Sequence, residues 1–285
     1  MRPRSILVIG LLEKHSGKTF ISYNLGNYIS DNYGVQIIPY KPVSGSNFWY
    51  QASNTISIIN ENILLSKDLR NVIDNLENPF DFSKCVLNPI HTLFYPVNLQ
   101  KYMNRDLSSK DLYRGTIDLP ILVRYSIWEK ESQKERRIHL VNHSLPEELD
   151  EVSKNADTII RFQKLEELRS FDVKFSAEAL KSTFYQINSL LEENKDTVCI
   201  IESFNDIVPP IDIIRATDVI FLTAPGYLAT LPKRKFELVY KTLNSNYQQS
   251  SKFLDLVEPE KIQKIPFYPS KIEWNRIFDD FDIIK

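Results

Sequence analysis

Ile6-Leu7-Val8-Ile9 is an uninterrupted apolar run that ends on Gly10, and a helical pattern begins after a short polar stretch. An apolar run without alternation fits a strand covered on both faces, the condition of a strand inside a parallel sheet. Beyond Ser16-Gly17-Lys18-Thr19 the apolar positions Ile21, Leu25, Tyr28 and Ile29 fall at helical spacing, and Gly34 follows as a turn. Buried strand, polar loop and amphipathic helix together open an α/β unit. That order restricts the chain to folds in which helices cover the faces of a largely parallel sheet.

The alternation recurs. Val35 to Tyr40 reads as a second strand stopped by Pro42. Glu61 to Leu76 sets Leu65, Leu69, Val72, Ile73 and Leu76 on one helical face, ended by Asn78-Pro79. The stretch with Asn88-Pro89 and Tyr95-Pro96 reads as loop. Ile121 to Trp128 and Arg137 to Asn142 are β-prone runs around the charged Glu129 to Arg136, a hairpin with a solvated tip. Leu180, Phe184, Ile187 and Leu191 mark a helix, Val198 to Ile201 and Val219 to Leu222 two buried strands, and Phe236, Val239, Tyr240 and Leu243 another helix. The tail from Ile262 reads as a loop with a packed terminal helix or coil. The expected architecture is a doubly wound, mostly parallel α/β sheet of the P-loop type over 1–118 and 173–285, interrupted at 119–172 by a hairpin-bearing insertion.

Bulk properties narrow the function classes. With 42% hydrophobic and 12% aromatic residues in 285 positions, the chain can bury a large core. Its 35 basic and 37 acidic residues nearly cancel, so nucleic acid and anionic membranes find no global electrostatic support. No apolar run is long enough to cross a bilayer, and the N-terminus lacks a secretory pattern. Cys85 and Cys199 stand far apart in no metal-binding or disulfide arrangement, which fits a reducing cytoplasm.

The polar stretch after the first strand has the ingredients of a phosphate cradle. Backbone N–H groups of such a loop and the following helix N-terminus converge on phosphate oxygens, with a Lys ammonium and a Ser/Thr hydroxyl serving the outer phosphates and Mg²⁺. Lys14, His15, Ser16, Gly17, Lys18 and Thr19, with Phe20 following, are the expected nucleotide-binding residues. The first glycine of GxxxxGK[ST] would fall where Leu12 stands, and Gly10 lies two residues earlier. Val198-Cys199-Ile200-Ile201-Glu202 carries one acid to the end of an apolar strand, so Glu202 and Thr19 are the expected Mg²⁺ ligands and Asp206 a second acid.

Lys41-Pro42-Val43-Ser44-Gly45 resembles the KPV-x-SG segment of dethiobiotin synthetases, with Gly17-Lys18-Thr19 at that family's GKT and Glu202 at the glutamate of its EGAGG-type segment. Pro225-Gly226-Tyr227-Leu228 and Ile265-Pro266-Phe267 are similar to two later segments, the second near the adenine. The resemblance implies ATP and Mg²⁺ as cofactors, Lys18, Lys41 and Glu202 as catalytic residues, Ser44 and Gly45 at the substrate, Pro266 near the base, and a homodimer. The substrate itself does not carry over. Ser203-Phe204-Asn205-Asp206 replace the glycines after the glutamate, and the insertion has no counterpart. An ATP-dependent enzyme acting on a small anionic or carboxylated molecule is therefore expected. The alternative is a nucleotide-dependent switch or scaffold of the partitioning type, binding a protein through its insertion. In that branch an extra signature lysine would fall at Glu13, one position from Lys14.

His91, His139 and His143 lack metal-ligand spacing and read as core or surface residues. Lys233-Arg234-Lys235 reads as a solvated helix start.

Overall fold

Four parallel strands form the heart of the first sheet in the computed structural model, which describes residues 4–12, 15–96, 118–243, 249–266 and 273–281. The chain divides into two compact units: Met1–Pro42, Asp68–Phe82 and Ile187–Lys285 make the first, Val43–Lys67 and Ser83–Gln186 the second. The expected insertion, 119–172, lies inside the second unit, which also takes flanking chain on both sides.

In the first unit the sheet runs β11-β10-β9-β1-β8-β2. β1 (Ser5–Gly10) is central, parallel to β8 (Thr197–Glu202) on one side and β9 (Val219–Ala224) on the other, and β2 (Gln36–Tyr40) lies parallel beyond β8. β10 (Tyr227–Leu231) and β11 (Lys261–Lys264) fold back antiparallel. Every residue of β1 and β8 is buried, as their unbroken apolar runs require.

Helix α1 (Lys18–Tyr33) sets Ile21, Leu25, Tyr28 and Ile29 into one core with Ile6 and Val8 of β1, Ile37 of β2 and Val198 and Ile200 of β8. Val72 of α3 (Lys67–Asn75) and Ile277 and Phe278 of α10 (Trp274–Asp280) complete that core. Fully burying each such side chain contributes roughly 1.5–3 kcal/mol. The remaining helices of this unit are α7 (Ile211–Ala216), α8 (Lys233–Leu243) and α9 (Ser250–Leu254).

The second unit holds a five-stranded sheet, β3 (Val43–Asn47), β4 (Ile90–Tyr95), β5 (Leu119–Glu129), β6 (Lys134–Asn142) and β7 (Thr158–Phe162), in that spatial order. Both outer pairs are parallel and the inner two antiparallel. One apolar cluster joins Ile90, Val123, Tyr125, Ile138 and Leu140 to Leu168, Phe175 and Ala179 of the long α6 (Leu165–Glu193). Ser44, His91, Arg124 and His139 stand opposite one another on successive strands, a buried polar row across the sheet. Arg124 donates to the carbonyls of Leu64, Cys85 and Asn88, which satisfies its buried guanidinium. Short helices α2 (Ala52–Glu61), α4 (Lys84–Leu87) and α5 (Asp150–Lys154) surround this sheet's chain.

Several expectations need correction. The single helix over Glu61 to Leu76 does not form. α2 stops as Asn62 turns left-handed at φ 53°, Leu64 and Leu65 are buried in the connection between the helices, and α3 starts only at Lys67. The expected loop between Pro89 and Pro96 contains β4, because the two prolines mark the ends of a strand. Val43–Asn47 is itself a strand, and α6 begins well before Leu180. The hairpin is as expected, with a tighter tip. No helix among the described residues is long and apolar enough to cross a membrane, and both cysteines are buried free thiols.

Candidate functional site

Because β1, β2, β8 and β9 are parallel, their C-terminal ends share one edge of the sheet, where ligands of open α/β sheets bind. The loop after β1, Lys41 after β2 and Glu202 at the end of β8 all arrive there. Val8 pairs with Glu202 in register, and the Ser203 N–H donates to the Val8 carbonyl.

The loop is fixed by its own side chains and by two neighbours. Ser16 Oγ donates to the Leu12 carbonyl at 2.8 Å. Thr223 of β9 donates to the Ser16 carbonyl, and Ser250 to the Gly10 carbonyl, each at 2.6 Å. Gly17 takes φ 84° immediately before α1, a left-handed conformation that glycine adopts without penalty. Gly10 matters for space: a Cβ there would lie 2.4 Å from Ser16 Oγ and 2.6 Å from Lys18 Nζ. The lysine is folded across the backbone at the position where β1 ends.

Lys18 is buried and its ammonium donates to the Asn205 carbonyl at 2.7 Å and Ser16 Oγ at 3.4 Å. Burial, followed by the charge of Lys41, pushes its pKa down to about 8, although Glu202, Asp68 and Asp206 act in the opposite sense. Thr19 Oγ1 donates to Glu202 Oε1 at 3.2 Å. Lys41 donates to the same Oε1 and, at 2.8 Å, to Asp68 in the first turn of α3. Burial works against the Lys41 charge, but the Asp68 and Glu202 carboxylates outweigh it and hold the ammonium above its ordinary pKa.

Lys18, Thr19, Lys41 and Glu202 are thus brought together, with Ser16 and Gly17 forming the loop beneath. His15 is exposed, Phe20 is half-buried in the first turn of α1, and Pro266 is exposed just after β11. Lys14 lies outside the described residues. Ser44 and Gly45 belong to β3 of the second unit, where Ser44 Oγ donates to Asn88 Oδ1 at 2.9 Å and lies 2.6 Å from His91 Nδ1. Gly45 packs beneath Phe94. Asp206 is half-buried and its carbonyl accepts the Ser250 N–H at 2.6 Å.

Asp68, Asn205, Thr223 and Ser250 carried no signal in the sequence. Asp68 falls inside the helix expected over Glu61 to Leu76 and comes to a helix first turn only because α3 starts at Lys67, and the Asn205 contact uses a backbone carbonyl, which has no residue signature.

The donor set fits a hard divalent cation. Among the described residues Glu202 Oε2 is buried without a hydrogen-bond partner, and the Thr19 hydroxyl lies against the same carboxylate. Among the described residues no group of three or more His, Cys, Asp or Glu could enclose a metal. One carboxylate and one hydroxyl suit an ion that keeps waters and takes its other oxygens from phosphate, as Mg²⁺ does.

Comparison with protein-family models, curated proteins and solved structures finds no match to this chain.

Proposed function

We propose that the first unit binds Mg²⁺-ATP through the Ser16–Thr19 loop and couples ATP hydrolysis or phosphoryl transfer to a small anionic or carboxylated substrate. The carrying observation is that Thr19 and Lys41 both meet Glu202, with Lys18 held on the Asn205 carbonyl three residues further on, at the C-terminal edge of adjacent parallel strands. In this reading the N–H groups of the loop and of the first turn of α1 receive phosphate oxygens. Lys18 leaves the Asn205 carbonyl for the outer phosphates and offsets charge there. Thr19 and Glu202 hold Mg²⁺, which supplies charge neutralisation across the phosphates when bound. Lys41, bound to the same Glu202 oxygen as Thr19, offsets charge on the acceptor side.

Titration calorimetry with MgATP tests the reading. Wild type binds, and Lys18→Ala weakens binding tenfold or more. Equal affinity for the two proteins would sink it. Glu202→Gln retains nucleotide while turnover falls at least a hundredfold.

A nucleotide-dependent switch is favoured by one contact. Any anion that draws Lys18 away must break its bond to Asn205, in the turn directly after β8, so that turn registers the ligand. Nucleotide-dependent change in oligomeric state, without stimulation by small molecules, would select this second reading.

A further inference from the structure

Aromatic rings of α1 and of α10 with its C-terminal cap residue Phe281 differ in burial. Tyr28, Phe278 and Phe281 are buried, but Phe20, Tyr23 and Trp274 are only half-buried. Phe20 meets Tyr23 edge-on at 5.5 Å and Trp274 edge-on at 5.3 Å between ring centres. Trp274 stacks on Phe278 at 5.4 Å with an interplanar angle of 18°, so Phe278 backs one of its faces.

Two contacts farther along orient α10. Tyr28 packs on Phe278 and donates to Asp279 at 2.5 Å, while Phe20 packs on Trp274. Earlier residues of α1 therefore meet earlier residues of α10. The helices run in the same sense, and Trp274 sits at the end of α10 nearest the phosphate loop. Phe20 directly follows Thr19, whose hydroxyl touches Glu202.

We propose that Trp274, backed by Phe278 and edged by Phe20, is the stacking platform for the purine base of the bound nucleotide. This inference rests on the phosphate reading given above and extends it to the nucleoside end. A nucleotide anchored by its phosphates at the start of α1 projects its base away from the loop, and the partly buried indole on the adjoining helix offers apolar ring surface for it. Base-on-aromatic stacking is sequence-tolerant and strong enough to be measured by truncation.

The test compares MgATP with Mg-tripolyphosphate, which has the phosphates and no base. Trp274→Ala is expected to weaken MgATP binding about tenfold and leave tripolyphosphate binding unchanged. Unchanged MgATP affinity in that variant overturns the proposal. If Trp274→Ala loses both ligands, its fold is disturbed, and the decision passes to Trp49→Phe/Trp128→Phe, which keeps Trp274 as the sole tryptophan. There, quenching by MgATP and not by tripolyphosphate supports the platform, and no change with MgATP overturns it. Failure of the phosphate reading is distinct: Lys18→Ala would then bind tripolyphosphate as well as wild type does.

Discussion

Lys41 and Glu202 form a buried ion pair at the sheet edge, each side chain no more than about 5% exposed, with Asp68 on the outer side of the ammonium at 47% exposure. The asymmetry separates the two carboxylates energetically. Glu202 has no water to fall back on, whereas Asp68 does.

Removing the cation therefore strands a buried charge. Lys41→Met is expected to destabilise the first unit by about 3 kcal/mol, and Asp68→Asn by less than about 1 kcal/mol. Denaturant unfolding curves at constant m compare the two, and equal losses would contradict the assigned burial roles.

Gly10→Ala places a methyl where Ser16 Oγ and Lys18 Nζ now lie. Lys18 must move, so affinity for MgATP is expected to fall at least tenfold with unfolding cooperativity retained. Wild-type affinity in this variant would show that the lysine position is immaterial to binding.

The depressed pKa of Lys18 has two consequences of opposite sign. Its ammonium is lost as pH rises through about 8, so tripolyphosphate affinity should decline above that point, well below the 10.5 of an ordinary lysine. In the unfolded chain the group keeps its proton up to the ordinary value. Burial of the charge is therefore a cost fully present below about pH 8 and relieved toward 10.5. Lys18→Met should stabilise the protein at pH 7 by up to about 3 kcal/mol while weakening anion binding. A variant that is both less stable and unchanged in binding would reject this account.

His139 in the second unit is buried opposite Arg124, its Nδ1 bonded to the Ser153 carbonyl at 3.0 Å and its Nε2 without a partner among the described residues. Burial first, with the Arg124 and Arg137 charges adding to it, pushes its pKa down to about 4 from an ordinary 6.5. The unfolded chain binds this proton more readily. The stability contribution is complete above pH 6.5 and is lost as pH falls through about 4, roughly 3 kcal/mol in all. Unfolding free energies between pH 7 and 4 should fall more shallowly in His139→Asn than in wild type.

What could be read from the sequence was short-range. β1, its loop, α1 and the strand carrying Glu202 each declare themselves within a few residues, because unbroken apolar runs and helical spacing are local signals. The hairpin of β5 and β6 was legible for the same reason. β4 was not, since its buried His91 and Thr92 break the apolar run, and His91 takes its partners, Ser44 and Ser46, from β3. Asp68 escaped notice because tertiary packing, with no spacing rule behind it, brings it to Lys41. The tail from Ile262 gives no local signal that places Trp274 beside Phe20, a contact made only by tertiary packing.

The central strand β1 takes both of its neighbours, β8 and β9, from the last third of the chain. Long-range parallel pairing of this kind closes a large loop before any contact rewards it. On a ribosome adding 5–20 residues per second, the Ser16–Thr19 loop would emerge on the order of 10 s or more before Glu202. In that interval β1 is an unpartnered apolar segment, so the sheet edge that gathers Lys18, Lys41 and Glu202 should form late and all at once during synthesis.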